Sequence, residues 1–130
     1  EGKIMSTQIN IHPNTVTALL SHRVVDITIS VELGHLNLLV GERLYTLSNG
    51  HNITIPKNTP YAYANPSAAQ TIVTERIENP TFAKDIVVHA DVDGVIYDIN
   101  ATPTLQISHS LYLGLVDMLV ISDVPEKLSA

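Results

Sequence analysis

Apolar and polar residues alternate most strictly between residues 25 and 33. Every odd position there is apolar and every even position is polar, from Val25 to Leu33. A period of two over nine residues predicts a β-strand with one buried face. Its many β-branched residues agree with that prediction.

The other apolar residues fall in shorter runs separated by Gly, Pro, Asn and Ser. These runs predict strands at 36–40, 43–47, 53–55, 61–65 and 71–77, and a hairpin of 86–92 with 95–99 around Asp93-Gly94. Short strands spaced roughly 8–12 residues apart are typical of β-sandwiches and barrels. We therefore predict an all-β fold.

The C-terminal apolar residues fit two elements. Leu111, Leu115, Met118 and Leu119 share one face of a helix, whereas Leu111, Leu113 and Leu115 also alternate like a strand. We expect a short C-terminal helix or an extra strand, followed by a loose tail at 122–130.

Residues 1–4 precede Met5-Ser6-Thr7, which is typical of a natural start, so they are either a cloning remnant or part of an upstream start. The whole of 1–130 is expected to be one domain.

Composition narrows the function classes. The chain has 130 residues, 45% hydrophobic and 15% charged, which indicates a globular domain and not a disordered one. Seven Lys and Arg face 13 Asp and Glu, and the net charge of −6 disfavours nucleic acids and anionic membranes as partners. The lack of Cys excludes disulfides, thiolate catalysis and Cys-ligated zinc. No apolar run reaches the ~18 residues of a membrane helix, and no signal peptide is visible. The lack of Cys suits a cytoplasmic, bacterial protein, which is what we expect.

One stretch resembles a known family. Gly50-x5-Pro56-x-Asn58-x2-Tyr61-x3-Asn65 is similar to the second cupin motif, G-x5-P-x-G-x2-H-x3-N. Asn58 replaces the second glycine, and Asn is a frequent substitute where φ is positive. Tyr61 stands where the family has a metal-binding His. The resemblance implies a cupin-like double-stranded β-helix, or jelly-roll, barrel.

The first cupin motif, G-x5-H-x-H-x3or4-E-x6-G, can be placed by taking Gly34 as its last glycine. Its two His positions then fall on Leu20 and His22, its acidic position on Ile27 and its opening glycine on Asn14. The resemblance covers residues 14–78. Residues 79–130 carry no resemblance to the family.

The resemblance implies a degenerate metal site. The family holds a divalent metal with three imidazoles and one carboxylate, whereas these four positions read Leu20, His22, Ile27 and Tyr61. We therefore expect no cofactor and no native metal. Asp26 lies next to the acidic position but on the opposite strand face, and only a β-bulge would bring it inward as a further ligand.

If position 27 faces inward, the interior along this strand is apolar, and Tyr61 and Tyr63 can lend hydroxyl groups to it. Such a lining suits a small apolar or aromatic ligand with a few polar anchors, and it equally suits a barrel that is packed shut. The candidate ligand-binding residues are His22, Ile27, Ile29, Tyr61 and Tyr63.

Other chemical signals favour structural roles. The remaining histidines, which are His12, His35, His51, His89 and His109, lack the spacing of a local metal site. Asp91-Val92-Asp93-Gly94-Val95-Ile96 resembles the first motif of haloacid-dehalogenase-type phosphatases, but the later motifs of that family are missing, so we interpret it as a hairpin turn. A calcium site at Asp91, Asp93 and Asp98 lacks the EF-hand spacing.

Three functions follow as hypotheses. The first is a metal-free module that binds a small organic molecule. The second is a cupin isomerase, lyase or dioxygenase in which His22 and Tyr61 act as acid and base. The third is a structural or interaction barrel with a closed core. We also expect a homodimer, because the apolar strands and residues 111–121 exceed what one chain of this size buries.

Overall fold

The computed structural model describes residues 3–80, 85–91 and 103–129, and the side chains of the last segment as far as residue 117. Within these ranges the chain forms ten strands followed by one helix. The strands are β1 (Ile4–Ile11), β2 (Thr15–Val16), β3 (Leu19–His22), β4 (Ile27–Leu33), β5 (His35–Val40), β6 (Arg43–Ser48), β7 (Asn52–Ile55), β8 (Tyr61–Asn65), β9 (Thr71–Glu78) and β10 (Ile86–Ala90); the helix is α1 (Pro103–Ser129).

Two antiparallel sheets face each other. One has four strands in the order β1-β9-β4-β7, and the other has six, in the order β10-β3-β8-β5-β6 with β2 added beside β8. Most neighbours in each sheet are distant in sequence, as in the jelly-roll arrangement. The chain therefore closes a barrel with contacts of long sequence separation.

The main core fills the space between the sheets. Inward side chains of both sheets form it: Ile11, Ile27, Ile29, Val31, Leu36, Leu38, Leu47, Ile55, Tyr61, Tyr63 and Val73. Ile29, Leu36, Leu38 and Val73 are fully buried, at 0% exposure. Burial of this kind is the main stabilising contribution to such a fold. Most of the barrel interior is thus packed.

A second apolar layer lies on the outer face of the six-stranded sheet, under α1. Strand β8 shows why, since Tyr61 and Tyr63 point into the barrel while Ala62 and Ala64 face the helix. The small alanines leave room for Tyr112, which is fully buried and donates a hydrogen bond from its hydroxyl to the Thr17 carbonyl at 2.8 Å. Strand β5 is likewise covered on both faces, since Leu36 and Leu38 belong to the main core and Leu39 to the layer under the helix.

The predicted strands agree with β4 to β9 within two residues, and β10 with the start of the predicted hairpin. The turn at Asp93-Gly94 and the returning strand lie outside the described residues, as do most of the phosphatase-like motif and of the calcium alternative. Strands β1, β2 and β3 are additional to the prediction. The C-terminal helix is confirmed, and it extends through 122–129, the segment expected to be a loose tail.

The helix buries a face shifted from the predicted one. Up to residue 117 its buried positions are Leu105, Ser108, His109, Tyr112 and Leu115, and their three- and four-residue spacing centres the face on Tyr112 instead of Leu111. Over the described residues, no helix is both long enough and apolar enough to cross a membrane.

Asparagines occupy two positions where the family motifs have glycine. Asn58 has a φ of 64°, which confirms the left-handed backbone predicted for it. Asn14, aligned with the opening glycine of the first motif, has a φ of 61°. Asn58 also donates its backbone N–H to the carbonyl of His22 at 2.6 Å, so this turn supports the end of β3.

Candidate functional site

The end of β3 and the start of β8 bring together the side chains of His22 and Tyr61. Leu20 pairs directly with Tyr61 across the sheet, which places the next inward residue of β3, His22, beside the tyrosine ring. The two rings stack with centroids 5.9 Å apart, and Nε2 of His22 lies 3.0 Å from the Tyr61 hydroxyl oxygen. Both side chains are buried.

Asp85 completes a chain of three hydrogen-bonded side chains. Its Oδ2 lies 2.9 Å from Nδ1 of His22, and its Oδ1 accepts the backbone N–H of Val24 at 2.6 Å. A carboxylate can only accept, so we assign the donated proton to Nδ1 of His22. Nε2 is then an acceptor, and the Tyr61 hydroxyl donates to it. In this state both ring nitrogens of His22 are engaged.

The surroundings shift the pKa values of Tyr61 and Asp85, the two ends of this chain, in opposite directions. Burial, then the negative charges of Glu75 and Asp85, raise the pKa of Tyr61, so its hydroxyl remains protonated and acts as a donor. Desolvation works to raise the pKa of Asp85, but the hydrogen bonds from His22, Val24 and Arg23 outweigh it and lower that pKa. Asp85 is therefore ionised at neutral pH.

Glu75 brings a second carboxylate to this end of the barrel. It lies on β9 opposite Ile29 of β4, and by alternation it shares the inward face with the buried Val73. Burial raises the pKa of Glu75, and the nearby His22 partly opposes that effect. An inward carboxylate among apolar neighbours is unusual in a packed core and points to a functional role.

A cavity of about 180 Å³ opens beside His22 and Asp85. Its wall consists of Met5, His22, Val25, Ile77, Pro80, Asp85 and Ile86. This volume equals roughly six water molecules at ~30 Å³ each, which is below the usual ~300–1,000 Å³ of sites for drug-sized ligands. Residues 81–84, which connect Pro80 to Asp85, lie outside the described part of the chain.

Solved structures share this architecture. The Cupin-2 domain of an XRE family transcriptional regulator from Enterobacter cloacae superposes with a TM-score of 0.53 at 21% identity, over 61% of this chain and 84% of that one. The chain has the cupin fold. DMSP lyase DddQ from Ruegeria pomeroyi matches with a TM-score of 0.59 at 11% identity, over 68% of this chain and 44% of the lyase.

A third neighbour, the plu4264 protein from Photorhabdus luminescens, matches with a TM-score of 0.54 at 15% identity, over 57% of this chain and 61% of that one. This chain therefore spans less than two thirds of that protein and less than half of the lyase. No family model matches the sequence, and no curated protein matches it. Cupin folds among the neighbours include an enzyme and a domain of a regulator, so the fold alone assigns no activity.

The residues at the four cupin ligand positions do not fit a metal ion. Leu20 and Ile27 offer no donor atom, and the raised pKa of Tyr61 disfavours the phenolate that would bind a cation. Among the described residues, no three His, Asp or Glu side chains are grouped so that they could hold one. Asp26 lies on the outer face, where it accepts the backbone N–H of Lys57 at 2.8 Å, and it lines a groove of about 520 Å³ there.

The predicted site residues separate into two groups. His22 lines the cavity, and Tyr61 is one hydrogen bond behind it. Ile27, Ile29 and Tyr63 are 1%, 0% and 4% exposed within the main core and are not part of the cavity wall. Position 27 does face inward, as the resemblance implied.

The sequence analysis did not identify Asp85 and Glu75. Glu75 had a detectable signal, since it is the one charged residue on the alternating inward positions 71, 73, 75 and 77. Asp85 had no such signal, because its partner His22 is 63 residues away.

His51 fits its structural interpretation, because its Nδ1 accepts the backbone N–H of Ser48 at 3.1 Å. His89 likewise contacts the Ser21 hydroxyl at 2.9 Å.

Proposed function

We propose that this cupin-fold chain binds a small organic molecule, without a native metal, in the cavity beside His22 and Asp85. The observation that carries the proposal is this cavity, whose apolar wall contains one hydrogen-bonded Asp–His pair. A few oriented polar groups in an apolar concave surface are the usual composition of a ligand site. The packed interior around Ile27 and Ile29 supports binding at this end of the barrel and not at its centre.

The binding proposal is tested by blocking the cavity. Ile86 lines it, whereas Val88 lies two residues farther along β10, is similarly exposed and does not line it. Amide chemical shifts are recorded while small organic fragments are added. Binders should perturb residues of the wall, lose affinity in Ile86→Trp and retain it in Val88→Trp. Fragments that bind elsewhere, or no binders at all, would favour the closed structural barrel.

A second candidate function is proton-transfer catalysis, as in an isomerase or lyase. The supporting observation is the Tyr61–His22–Asp85 chain, because a carboxylate that orients an imidazole is a common arrangement for a general base. Binding alone is favoured over it, since both nitrogens of His22 are engaged and base action requires the Tyr61 contact to open. Deuterium exchange at carbon in a bound fragment, followed in D₂O and lost in His22→Gln, would establish catalysis.

We further propose that the protein forms a homodimer. Exposed apolar side chains that do not line the cavity, such as Ile4, Leu33 and Leu44, support contact with another chain. Light scattering at micromolar concentration should give twice the 14.2 kDa mass of one chain. The mass of a single chain would contradict the dimer.

A further inference from the structure

The polar part of the cavity wall is the hydrogen-bonded pair of His22 and Asp85, and the carboxylate gives it negative charge. Asp85 is ionised, and its two oxygens face Nδ1 of His22 and the N–H of Val24. Each oxygen retains a second lone pair, so the carboxylate can accept another donor from a ligand. The cavity gives a ligand room to reach this carboxylate.

Glu75 adds to the negative potential from inside the barrel. It faces the interior across from Thr7 of β1 and Ile29 of β4, and its charge acts on both His22 and Tyr61. The group of Asp85, Glu75 and His22 therefore contains two carboxylates and one imidazole. When both are ionised, the group keeps a net negative charge even with a proton added to His22.

The rest of the wall is apolar. Met5, Val25, Ile77, Pro80 and Ile86 surround the Asp–His pair, and none of the lining residues that the structure describes is Lys or Arg; Lys84 lies outside them. The described cations Lys57 and Arg76 line the groove on the opposite face of the sheet. A charge placed in such a low-dielectric site interacts much more strongly than in water.

We propose that the cavity binds a small organic cation, with an ammonium group against the Asp85 carboxylate and a short apolar body against Met5, Ile77 and Ile86. The inference rests on the proposed function, because it names the ligand class of the same cavity. The small volume restricts the ligand to a compact amine. An anion would meet the Asp85 carboxylate in the wall, and a neutral molecule would bring no opposite charge to it.

Three probes of equal shape and different charge test this inference. Butylamine, which is a cation at pH 7, butan-1-ol and butanoate are titrated separately while amide shifts of Ile77 and Ile86 are followed. Butylammonium should bind at least about tenfold more tightly than the alcohol, and butanoate should bind most weakly. Equal or tighter binding of the alcohol or of butanoate would overturn the inference.

Variants that remove one carboxylate at a time show which of them causes the preference for the cation. Glu75→Gln and Asp85→Asn should each reduce the preference for butylammonium over butan-1-ol, and Glu32→Gln, which removes an exposed carboxylate from β4, should not. If Asp85→Asn fails to fold, the inference is tested by the change in preference in Glu75→Gln alone. A preference that is unchanged in the variants that fold would reject the inference. If the three probes bind at Ile77 and Ile86 with equal affinity, the ligand class is wrong but the proposed function stands. If no probe and no fragment binds there, both the ligand class and the proposed function are rejected.

Discussion

Nε2 of His22 and the hydroxyl oxygen of Tyr61 lie 3.0 Å apart, although 39 residues separate them in the chain. The tyrosine occupies the position where the cupin motif has a histidine ligand. In this chain the two side chains satisfy each other, and Asp85 holds the far side of the imidazole. The ligand position is thus part of a chain of three hydrogen-bonded side chains.

Tyr61→Phe should destabilise the protein by about 1–3 kcal/mol, because it leaves Nε2 of the buried His22 without its donor while keeping the ring packed. Urea denaturation gives the free energy of unfolding. Tyr45→Phe is the matched control, since Tyr45 packs against the same core and the described residues give its hydroxyl no hydrogen bond. Equal losses in the two variants would contradict a specific role for the His22 contact.

Asp85 should stabilise the protein only above acidic pH. Its pKa is lowered in the folded state, so its contribution is fully present above the unfolded value of about 3.9 and is lost as the pH falls through the folded value. The stability difference between wild type and Asp85→Asn should therefore shrink below about pH 4. Asp26→Asn is the control, because Asp26 also accepts a backbone N–H but lies exposed, away from His22. A difference that stays constant from pH 7 to the acid range would contradict this linkage.

Glu75 should have the opposite effect. Burial raises its pKa in the folded state, so folding disfavours its ionised form and the protein loses stability as the pH rises above the unfolded value of about 4.3. Glu75→Gln should increase the free energy of unfolding at pH 7, and the gain should diminish on acidification. Glu32→Gln, on an exposed position of β4, should change stability by less than about 0.5 kcal/mol. A loss of stability in Glu75→Gln at pH 7 would show that the carboxylate makes a favourable contact instead.

Alternation along the chain made most of the strands predictable, and its failures have physical causes. Strand β4 buries one face from Ile27 to Val31, where its pattern is regular. The pairing register shifts after Val31, and Leu33, which the alternation placed on the buried face, is 51% exposed. Strand β3 buries both faces, with Leu19 under the helix and His22 in the barrel, and therefore shows no alternation. Strand β1 is a largely exposed edge strand in which four of eight residues are polar, and Ile4 and Thr7 interrupt its alternation.

The site was only partly predictable for a different reason. The motif spacing identified His22 and Tyr61 because motif positions are local in sequence. Asp85 and Glu75 reach the same place through strand pairing, in which β10 joins β3 and β9 joins β4, and no local pattern encodes that arrangement. Ile27 and Ile29 were correctly expected to face inward, but packing density, which decides whether an inward residue lines a cavity, depends on the whole core.

Gly34 and Gly50 provide a test of the two motif turns, because they share a positive φ and differ in their surroundings. Their φ values are 94° and 86°, so an alanine is strained at both, at about 1–2 kcal/mol. A Cβ at Gly34 would lie 2.9 Å from Oγ1 of Thr71, whose hydroxyl donates to the His35 carbonyl at 2.6 Å, whereas at Gly50 nothing lies within 4 Å.

Gly34→Ala should therefore cost at least about 1 kcal/mol more than Gly50→Ala, since the added methyl group displaces Thr71 from a buried hydrogen bond. Thermal and urea denaturation of the two single variants measure the difference. A double variant with Thr71→Ala should recover part of the loss at Gly34, because the closest contact is removed. Equal destabilisation by the two alanines would mean that the backbone strain alone determines the cost and that the turn at Gly34 has room to adjust.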